Sequence, residues 1–167
     1  MKVRTFALGD YPEVRELWEV SGLEIRPGDE LEGVQRKVKR DRELFLVAEE
    51  NRRIVGTVMG AWDGRRGWIY HLGVLPGNRR FGVATALISE MEARMRKIGI
   101  PKVNALIYPS NTGSAEFFRN AGYEISEMRE AGKVLRGGPG AALGDEGVRD
   151  WSKPSSSRRA RRRTKLQ

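Results

Sequence analysis

The part of this sequence that most constrains its fold is one strand–loop–helix unit in residues 68–98. Residues 68–75, WIYHLGVL, are a nearly unbroken apolar run, which predicts a buried strand. A Pro-Gly-Asn break follows at 76–78. Apolar residues then recur with the spacing of a core-facing helix, at Ala84, Leu87, Ile88, Met91, Met95 and Ile98. A buried strand that leads through a tight loop into such a helix is typical of an α/β domain.

The loop of this unit has features of an anion site. The first turn of a helix carries N–H groups without intrahelical partners, and the helix dipole places partial positive charge there. Gly82 and Ala84 remove side-chain bulk that would keep a phosphate away from these donors. A phosphate-binding loop is one interpretation. An ordinary strand–helix turn with solvated arginines is the other.

The residues of this loop also carry a family resemblance. The pattern Arg79-x-x-Gly82-x-Ala84, preceded by Leu72-Gly73-Val74, resembles the pyrophosphate-binding motif of the GNAT acetyltransferases. In that family the loop holds the diphosphate of acetyl-coenzyme A, and the preceding strand pairs with the pantetheine arm. The resemblance implies acetyl-CoA as cosubstrate, with contacts from Leu72, Gly73, Val74, Arg79, Arg80, Phe81, Gly82, Val83, Ala84 and Thr85.

A second motif lies where the same family places one. Asn111-x-x-Ser114-x-x-x-Phe118-x-x-x-Gly122-Tyr123 begins 29 residues after Gly82 and resembles the family pattern N-x-x-A-x-x-x-Y-x-x-x-G-[F/Y]. The resemblance implies that Asn111 caps a helix and offers its amide to the pantetheine, and that Phe118 lies beside the thioester sulfur. Several further segments are closest to the YpeA-type acetyltransferases and more distantly similar to the RimI type.

The resemblance covers residues 2–135 and implies the GNAT fold. The coarse pattern of strands and helices is β-α-α-β-β-β-α-β-α-β-β, ending in a hairpin at 123–128 and 132–135. We therefore expect a mixed α/β (α+β) domain over residues 1–136. Its sheet should have six to seven mostly antiparallel strands, with splayed central strands and about four flanking helices. Residues 137–167 are rich in Gly, Pro, Ser and Arg, and we expect no packed structure there.

Acetyl transfer from a thioester to an amine needs a base, an oxyanion donor and a leaving thiolate. The backbone N–H of Val74 or Leu75 is the candidate oxyanion donor. The sequence departs from its family at both usual proton-transfer positions, since Phe118 replaces the acid tyrosine and Leu106 replaces the RimI-type glutamate. His71 is a candidate base because imidazole is the side chain best suited to exchange a proton near neutral pH, and Tyr108 is a candidate acid. A histidine that is packed or hydrogen-bonded in its strand is the alternative for His71.

Composition excludes several other classes of protein. The chain has no cysteine and one histidine, so disulfides, thiolate sites and His-rich metal sites are excluded, and no metal is expected. No apolar run approaches ~18 residues, and residues 1–10 lack an apolar signal region, so we expect a cytoplasmic protein without membrane contact. Residues 151–167 contain seven Lys and Arg and no acid, so the other 150 residues carry only 9 − 7 = +2. The high net charge therefore belongs to the tail.

Three functions from different classes remain open from the sequence. The first is an acetyl-CoA-dependent N-acetyltransferase acting on an unidentified primary amine, in a small molecule or a peptide. The second is a non-catalytic acyl-CoA-binding module, which the residues at 106 and 118 would allow. The third is a ribosome- or nucleic-acid-associated protein that makes weak phosphate contacts through residues 151–167. A homodimer is one option for the oligomeric state.

Overall fold

The computed structural model describes residues 1–127, 131–133 and 135. All helices and strands of this part lie in one compact unit, Met1–Gly132. They follow the order β-α-α-β-β-β-α-β-α: β1 (Lys2–Thr5), α1 (Tyr11–Ser21), α2 (Leu31–Asp41), β2 (Phe45–Glu50), β3 (Arg53–Trp62), β4 (Gly67–Val74), α3 (Val83–Lys97), β5 (Val103–Ala105) and α4 (Thr112–Asn120). Of the second unit, Lys133–Gln167, only Lys133 and Leu135 are described.

The five strands form one mixed sheet in the order β1-β2-β3-β4-β5. Neighbours from β1 to β4 are antiparallel, whereas β5 runs parallel to β4. The parallel pairing is short: it joins Gly67–Ile69 to residues 103–105, and from there to Val74 β4 is paired with β3 only. The mixed, mostly antiparallel sheet and the separation of its central strands were both predicted from the sequence, and both are confirmed.

The sheet is covered on both faces, because alternate residues of each strand point to opposite sides. In β2, Leu46 and Ala48 join the cluster packed under α3 and α4, whereas Phe45 and Val47 join the cluster under α1 and α2. All four are fully buried. The helix α3 contributes the apolar face expected of it, with Leu87, Met91 and Met95 completely buried and Val83 and Ile88 nearly so.

The predicted strand count was too high for the described residues, which contain five strands instead of six to seven. The expected final hairpin is not formed in its described part, residues 123–127, 131–133 and 135. Tyr123 instead stays with the end of α4, since its N–H donates to the Phe118 carbonyl at 2.9 Å. Its hydroxyl donates to Glu92 Oε1 on α3 at 2.8 Å. The other residues of that hairpin and the tail after 136 lie outside the described part.

Several element boundaries also differ from the prediction. The apolar spacing of Leu31, Val34 and Val38 predicts a helix over residues 29–40, and residues 102–108 are predicted as a strand; the helix begins at Leu31, and the strand is only Val103–Ala105. No helix within the described ranges is long and apolar enough to cross a membrane.

Candidate functional site

The loop between β4 and α3 leads into the first turn of α3, whose N–H groups have no acceptor within the helix. After the turn Pro76–Asn78, Arg80 and Gly82 adopt left-handed conformations, with φ of 66° and 80°, and Gly82 is the N-cap of α3. Gly82 has no side chain to cap the helix, and the first intrahelical bond is donated by Ala86 N to Gly82 O at 2.9 Å. A Cβ atom built on Gly82 would meet nothing within 4 Å. The first-turn N–H groups of a helix have no intrahelical acceptor, and among the described residues the space beside Gly82 leaves room for an anion to approach them.

The first turn of α3 lies unusually close to the sheet, and Gly56 on β3 makes this possible. A Cβ atom at Gly56 would lie 2.7 Å from Val83 Cγ1 and 3.0 Å from Leu87 Cδ1. Gly56 also pairs with Val74 at the end of β4. The position of the helix N-terminus relative to the strand end is thus fixed by backbone contact on β3.

The loop residues between β4 and α3 differ in their contacts and in their exposure. The Arg79 guanidinium donates to the Val74 carbonyl at 3.2 Å and to the Ser21 carbonyl at 2.9 Å, so it braces the loop against the end of α1. Phe81 is 79% exposed. Arg79 was predicted to contact the cofactor, but its described contacts are to backbone carbonyls. That prediction, like the one for Arg80 and Phe81, stays a prediction.

The end of β4 offers one backbone donor away from its partner strand. Leu75 N–H donates to Val55 O on β3 at 3.0 Å, so it is already paired. Successive N–H groups of a strand point to opposite edges, which directs Val74 N–H to the side where β5 has ended. Of the two oxyanion donors considered from the sequence, Val74 is the one with suitable geometry.

His71 lies in a β-bulge of β4. The register with β3 shifts there, so that His71 and Leu72 lie opposite the single residue Val58. His71 adopts a φ of 52°, which is unusual for a residue other than glycine. Its Nε2 lies 3.0 Å from Asp29 Oδ2, and its ring stands edge-on to Trp18 with centroids 4.9 Å apart. The histidine is thus hydrogen-bonded in its strand, as one sequence interpretation expected.

Sequence reasoning missed Asp29. Its side chain is 10% exposed, and it belongs to the loop between α1 and α2. No motif or spacing connects it to His71, which is 42 residues away. The only signal in the sequence was an acid directly after a Pro-Gly pair, and it does not identify a partner.

Tyr108 lies on the segment after β5 and contacts the same α1–α2 loop. It is 47% exposed, its hydroxyl lies 3.5 Å from Glu24 Oε2, and the Arg26 guanidinium carbon lies 5.0 Å from its ring centre. The loop therefore reaches from His71 on β4 to Tyr108 beyond β5. It spans the gap where these two strands separate.

The second motif, residues 111–123, begins at the N-cap of helix α4 and runs through that helix. Asn111 is its N-cap, as predicted, because its Oδ1 accepts from Ser114 N–H at 3.0 Å. Phe118 is 3% exposed, edge-on to Phe117 and Tyr123. Leu106, at the place of the RimI-type glutamate, is 55% exposed.

Tyr70 on β4 and Lys37 on α2 lie together, with the Lys37 ammonium 5.8 Å from the centre of the Tyr70 ring. Burial raises the pKa of Tyr70 to about 12, with nearby Asp41 and Asp29 adding to the effect. Burial lowers the pKa of Lys37, against the opposing effect of its ion pair with Asp41 at 2.9 Å. Tyr70 therefore stays protonated at neutral pH and can donate a hydrogen bond but cannot act as a base.

Comparison with known proteins identifies what this arrangement is similar to. Residues 11–123 match the family described as "Acetyltransferase (GNAT) family". An acetyltransferase of Yersinia pestis is 42% identical over 136 residues, which is 81% of this chain and 96% of the relative. The PaiA N-acetyltransferase of Thermoplasma acidophilum, solved in complex with coenzyme A, has a TM-score of 0.70 at 17% identity, covering 77% and 92% of the two chains. Ard1 of Thermoplasma volcanium has a TM-score of 0.69 at 21% identity, covering 75% and 83%.

Proposed function

Because this chain belongs to the GNAT acetyltransferase family, we propose that it moves the acetyl group of acetyl-CoA to a primary amine by direct attack in a ternary complex. The observation that carries the proposal is the open first turn of α3, next to a strand end with an outward-facing N–H group. One diphosphate and one thioester carbonyl would satisfy these donors.

The diphosphate is placed at the N-terminus of α3, on the N–H groups of Val83, Ala84 and Thr85. Gly82 supports this placement because a Cβ atom there would meet none of the described residues within 4 Å. The pantetheine then follows β4 along Leu72–Val74, where β5 no longer pairs, and reaches Asn111 and Phe118 on α4. The relative from Thermoplasma acidophilum that was solved with coenzyme A has the same fold, which adds to the support.

The reaction needs a proton to leave the amine before its nitrogen can attack. An alkyl ammonium has a pKa of about 10.4, so a base is needed near neutral pH. We place His71 in this role. The amine nitrogen attacks the thioester carbonyl carbon, and Val74 N–H stabilises the oxyanion. The carbon–sulfur bond then breaks, its electron pair leaves on the sulfur, and the nitrogen gives its second proton to solvent, which leaves a neutral amide.

The leaving group needs less help than the nucleophile. A thiol has an ordinary pKa of about 8.5, so the thiolate can leave without full protonation. Tyr108 is the candidate donor, since it lies at the gap between β4 and β5 and is 47% exposed. General acid catalysis is worth ~10²–10⁴-fold, and an enzyme with Phe118 at the usual position is therefore expected to be slow.

Finer features of the function stay predictions. These are the YpeA-type resemblance, a cytoplasmic location, a homodimer and the weak nucleic-acid contact of residues 151–167. The acceptor is a primary amine of a small molecule or a peptide. It would enter along the α1–α2 loop, whose side chains Glu24, Arg26 and Asp29 are of mixed charge.

The test is a transfer assay with the full chain. Acetyl-CoA is incubated with a panel of small amines and N-terminal peptides, and free coenzyme A thiol and acetylated amine are both measured. We expect equal amounts of the two products with at least one acceptor. Acetyl-CoA binding without acetylated product from any member of the panel would contradict the proposal.

That second outcome would favour a non-catalytic acyl-CoA-binding module. The specific observation behind this alternative is the apolar character of both usual proton-transfer positions, with Phe118 buried in the core and Leu106 exposed. Binding and transfer share the same cofactor site, so only turnover separates the two functions.

A further inference from the structure

A buried carboxylate, Asp29, connects the α1–α2 loop to His71 on β4. Asp29 is 7% exposed, although ionised side chains are rarely buried without partners. Its Oδ2 accepts from Arg26 N–H at 2.8 Å and lies 3.0 Å from His71 Nε2. Its backbone carbonyl accepts from the Tyr11 hydroxyl at 3.0 Å. Asp29 therefore joins the loop, α1 and the bulge of β4 at one point.

The same contacts fix the orientation of the imidazole. Trp18 stands edge-on to the ring on one side, and Tyr70 stands edge-on at 5.9 Å. Within the described part of the chain, Asp29 is the one hydrogen-bond partner of the ring, and it faces Nε2. A carboxylate accepts only, so a neutral His71 carries its proton on Nε2 and keeps the lone pair on Nδ1.

We propose that Asp29 is a positioning residue that holds His71 by Nε2 and so leaves Nδ1 to take the proton from the acceptor amine. This proposal rests on the proposed acetyl transfer. The proton moves from the ammonium nitrogen to Nδ1, which gives an imidazolium, and the freed amine attacks the thioester. The imidazolium is stabilised by the Asp29 carboxylate at 3.0 Å and then returns its proton to solvent.

The bulge explains why a loop carboxylate is needed. His71 has a left-handed backbone conformation, which is costly for a residue with a side chain. Its ring leaves the regular alternation of β4, so the strand alone does not orient it. Asp29 supplies that orientation from outside the strand.

His71 is the single histidine of the whole sequence, which makes a direct test possible. In a ¹⁵N-labelled full chain, long-range ¹H–¹⁵N correlations of an imidazole show only this residue. At a pH of about 9, well above the ordinary imidazole pKa of about 6.5, the spectrum reports the tautomer. We expect the Nε2–H form in the wild type and a mixture of tautomers in Asp29→Asn. The Nδ1–H form in the wild type, or no change in Asp29→Asn, would overturn the proposal.

Kinetic measurements show whether Asp29 positions His71 for catalysis or only holds the loop in place. We expect Asp29→Asn to lower kcat by about 10–100-fold and to leave the KM for acetyl-CoA unchanged. The loss is smaller than the ~10²–10⁴-fold effect of a general base, because His71 is still present in this variant. Glu30→Gln is the matched control, since it removes the neighbouring carboxylate, which accepts from Gly28 N–H and does not contact His71. It should leave kcat unchanged. Equal losses in the two variants would contradict the proposal.

A double-variant cycle completes the test. His71→Gln keeps an N–H donor for Asp29 but removes the proton acceptor, so it should preserve folding and lose activity. If Asp29 acts through His71, adding Asp29→Asn to His71→Gln should lower kcat no further. An additional loss of tenfold or more would show that Asp29 acts by another route. Should the wild type transfer acetyl to no amine, the proposed function fails, and the tautomer measurement alone decides the Asp29–His71 assignment.

Discussion

Placing a methyl group at Gly56 should lower both the stability of the fold and the affinity for acetyl-CoA. The added Cβ of Gly56→Ala would lie 2.7 Å from Val83 Cγ1, 3.0 Å from Leu87 Cδ1 and 3.3 Å from Gly73 O. Val83 is β-branched and sits in the first turn of α3, so it cannot swing away without moving the helix backbone. Overpacking costs ~1–3 kcal/mol, and replacing glycine in a strand returns ~0.5–1 kcal/mol. We expect a net loss of about 0.5–2 kcal/mol in the free energy of unfolding.

The matched control is Gly60→Ala. Gly60 lies four residues further along β3, so it faces the same side of the sheet as Gly56. Its Cβ would also lie close to α3, 2.6 Å from Met91 Sδ and 2.7 Å from Met95 Cε. Methionine ends are flexible and can repack, so stability should change by no more than about 0.5–1 kcal/mol. Urea unfolding of both variants measures the difference.

The Gly56→Ala substitution should also change the affinity for acetyl-CoA. Moving the first turn of α3 should weaken binding in Gly56→Ala by about tenfold, or ~1.4 kcal/mol, and leave Gly60→Ala unchanged. Equal stability and equal affinity of the two variants would refute the claim that Gly56 sets the position of the helix N-terminus.

The remaining predictions concern the acid position, a hairpin turn and the tail. Phe118→Tyr should raise the rate of coenzyme A release at unchanged thermal stability, whereas the control Phe117→Tyr should leave that rate unchanged. A less stable Phe118→Tyr variant with no faster coenzyme A release would show that the edge of the Phe118 ring faces the core. Arg52→Gly should stabilise the chain by ~0.5–1 kcal/mol in urea unfolding, because residue 52 has a φ of 62° in a two-residue turn; Arg53→Gly, in β3, should destabilise it. A chain ending at Arg136 should keep its melting temperature and its acetyl-CoA affinity, and a large drop in either would contradict the predicted boundary.

Much of the fold was predictable because periodic patterns encode it locally. The apolar run at 68–75 and the helical spacing that ends at Ile98 correspond to β4 and α3. The hairpin of β2 and β3 follows from its short turn. The final hairpin was wrong in its described part, because Tyr123 bonds to α4 and α3 instead of a neighbouring strand. Such tertiary contacts leave no periodic signal in the sequence.

The sequence predicted the local geometry of the candidate site where a helix start requires a particular residue type. Asn111 was predicted as a helix cap, and its side chain does cap α4, while Gly82 lies at the start of α3 as its position in the loop indicated. The partner of His71 could not be predicted, because the contact with Asp29 depends on a loop folding back over the sheet. Gly56 was missed for the same reason: its need for space comes from α3, which packs against β3 from a distant part of the chain.

The central claim is that acetyl-CoA binds with its diphosphate on the N-terminus of α3. Calorimetric titration of acetyl-CoA into wild type, Gly82→Glu and Gly99→Glu tests it most directly. Both glycines have a φ of +80° and open space around them, and they flank opposite ends of the same helix, so strain and added charge are matched. We predict at least tenfold weaker binding for Gly82→Glu, ~1.4 kcal/mol or more, and wild-type affinity for Gly99→Glu. Unchanged affinity in a folded Gly82→Glu variant, or an equal loss in both, would contradict the account.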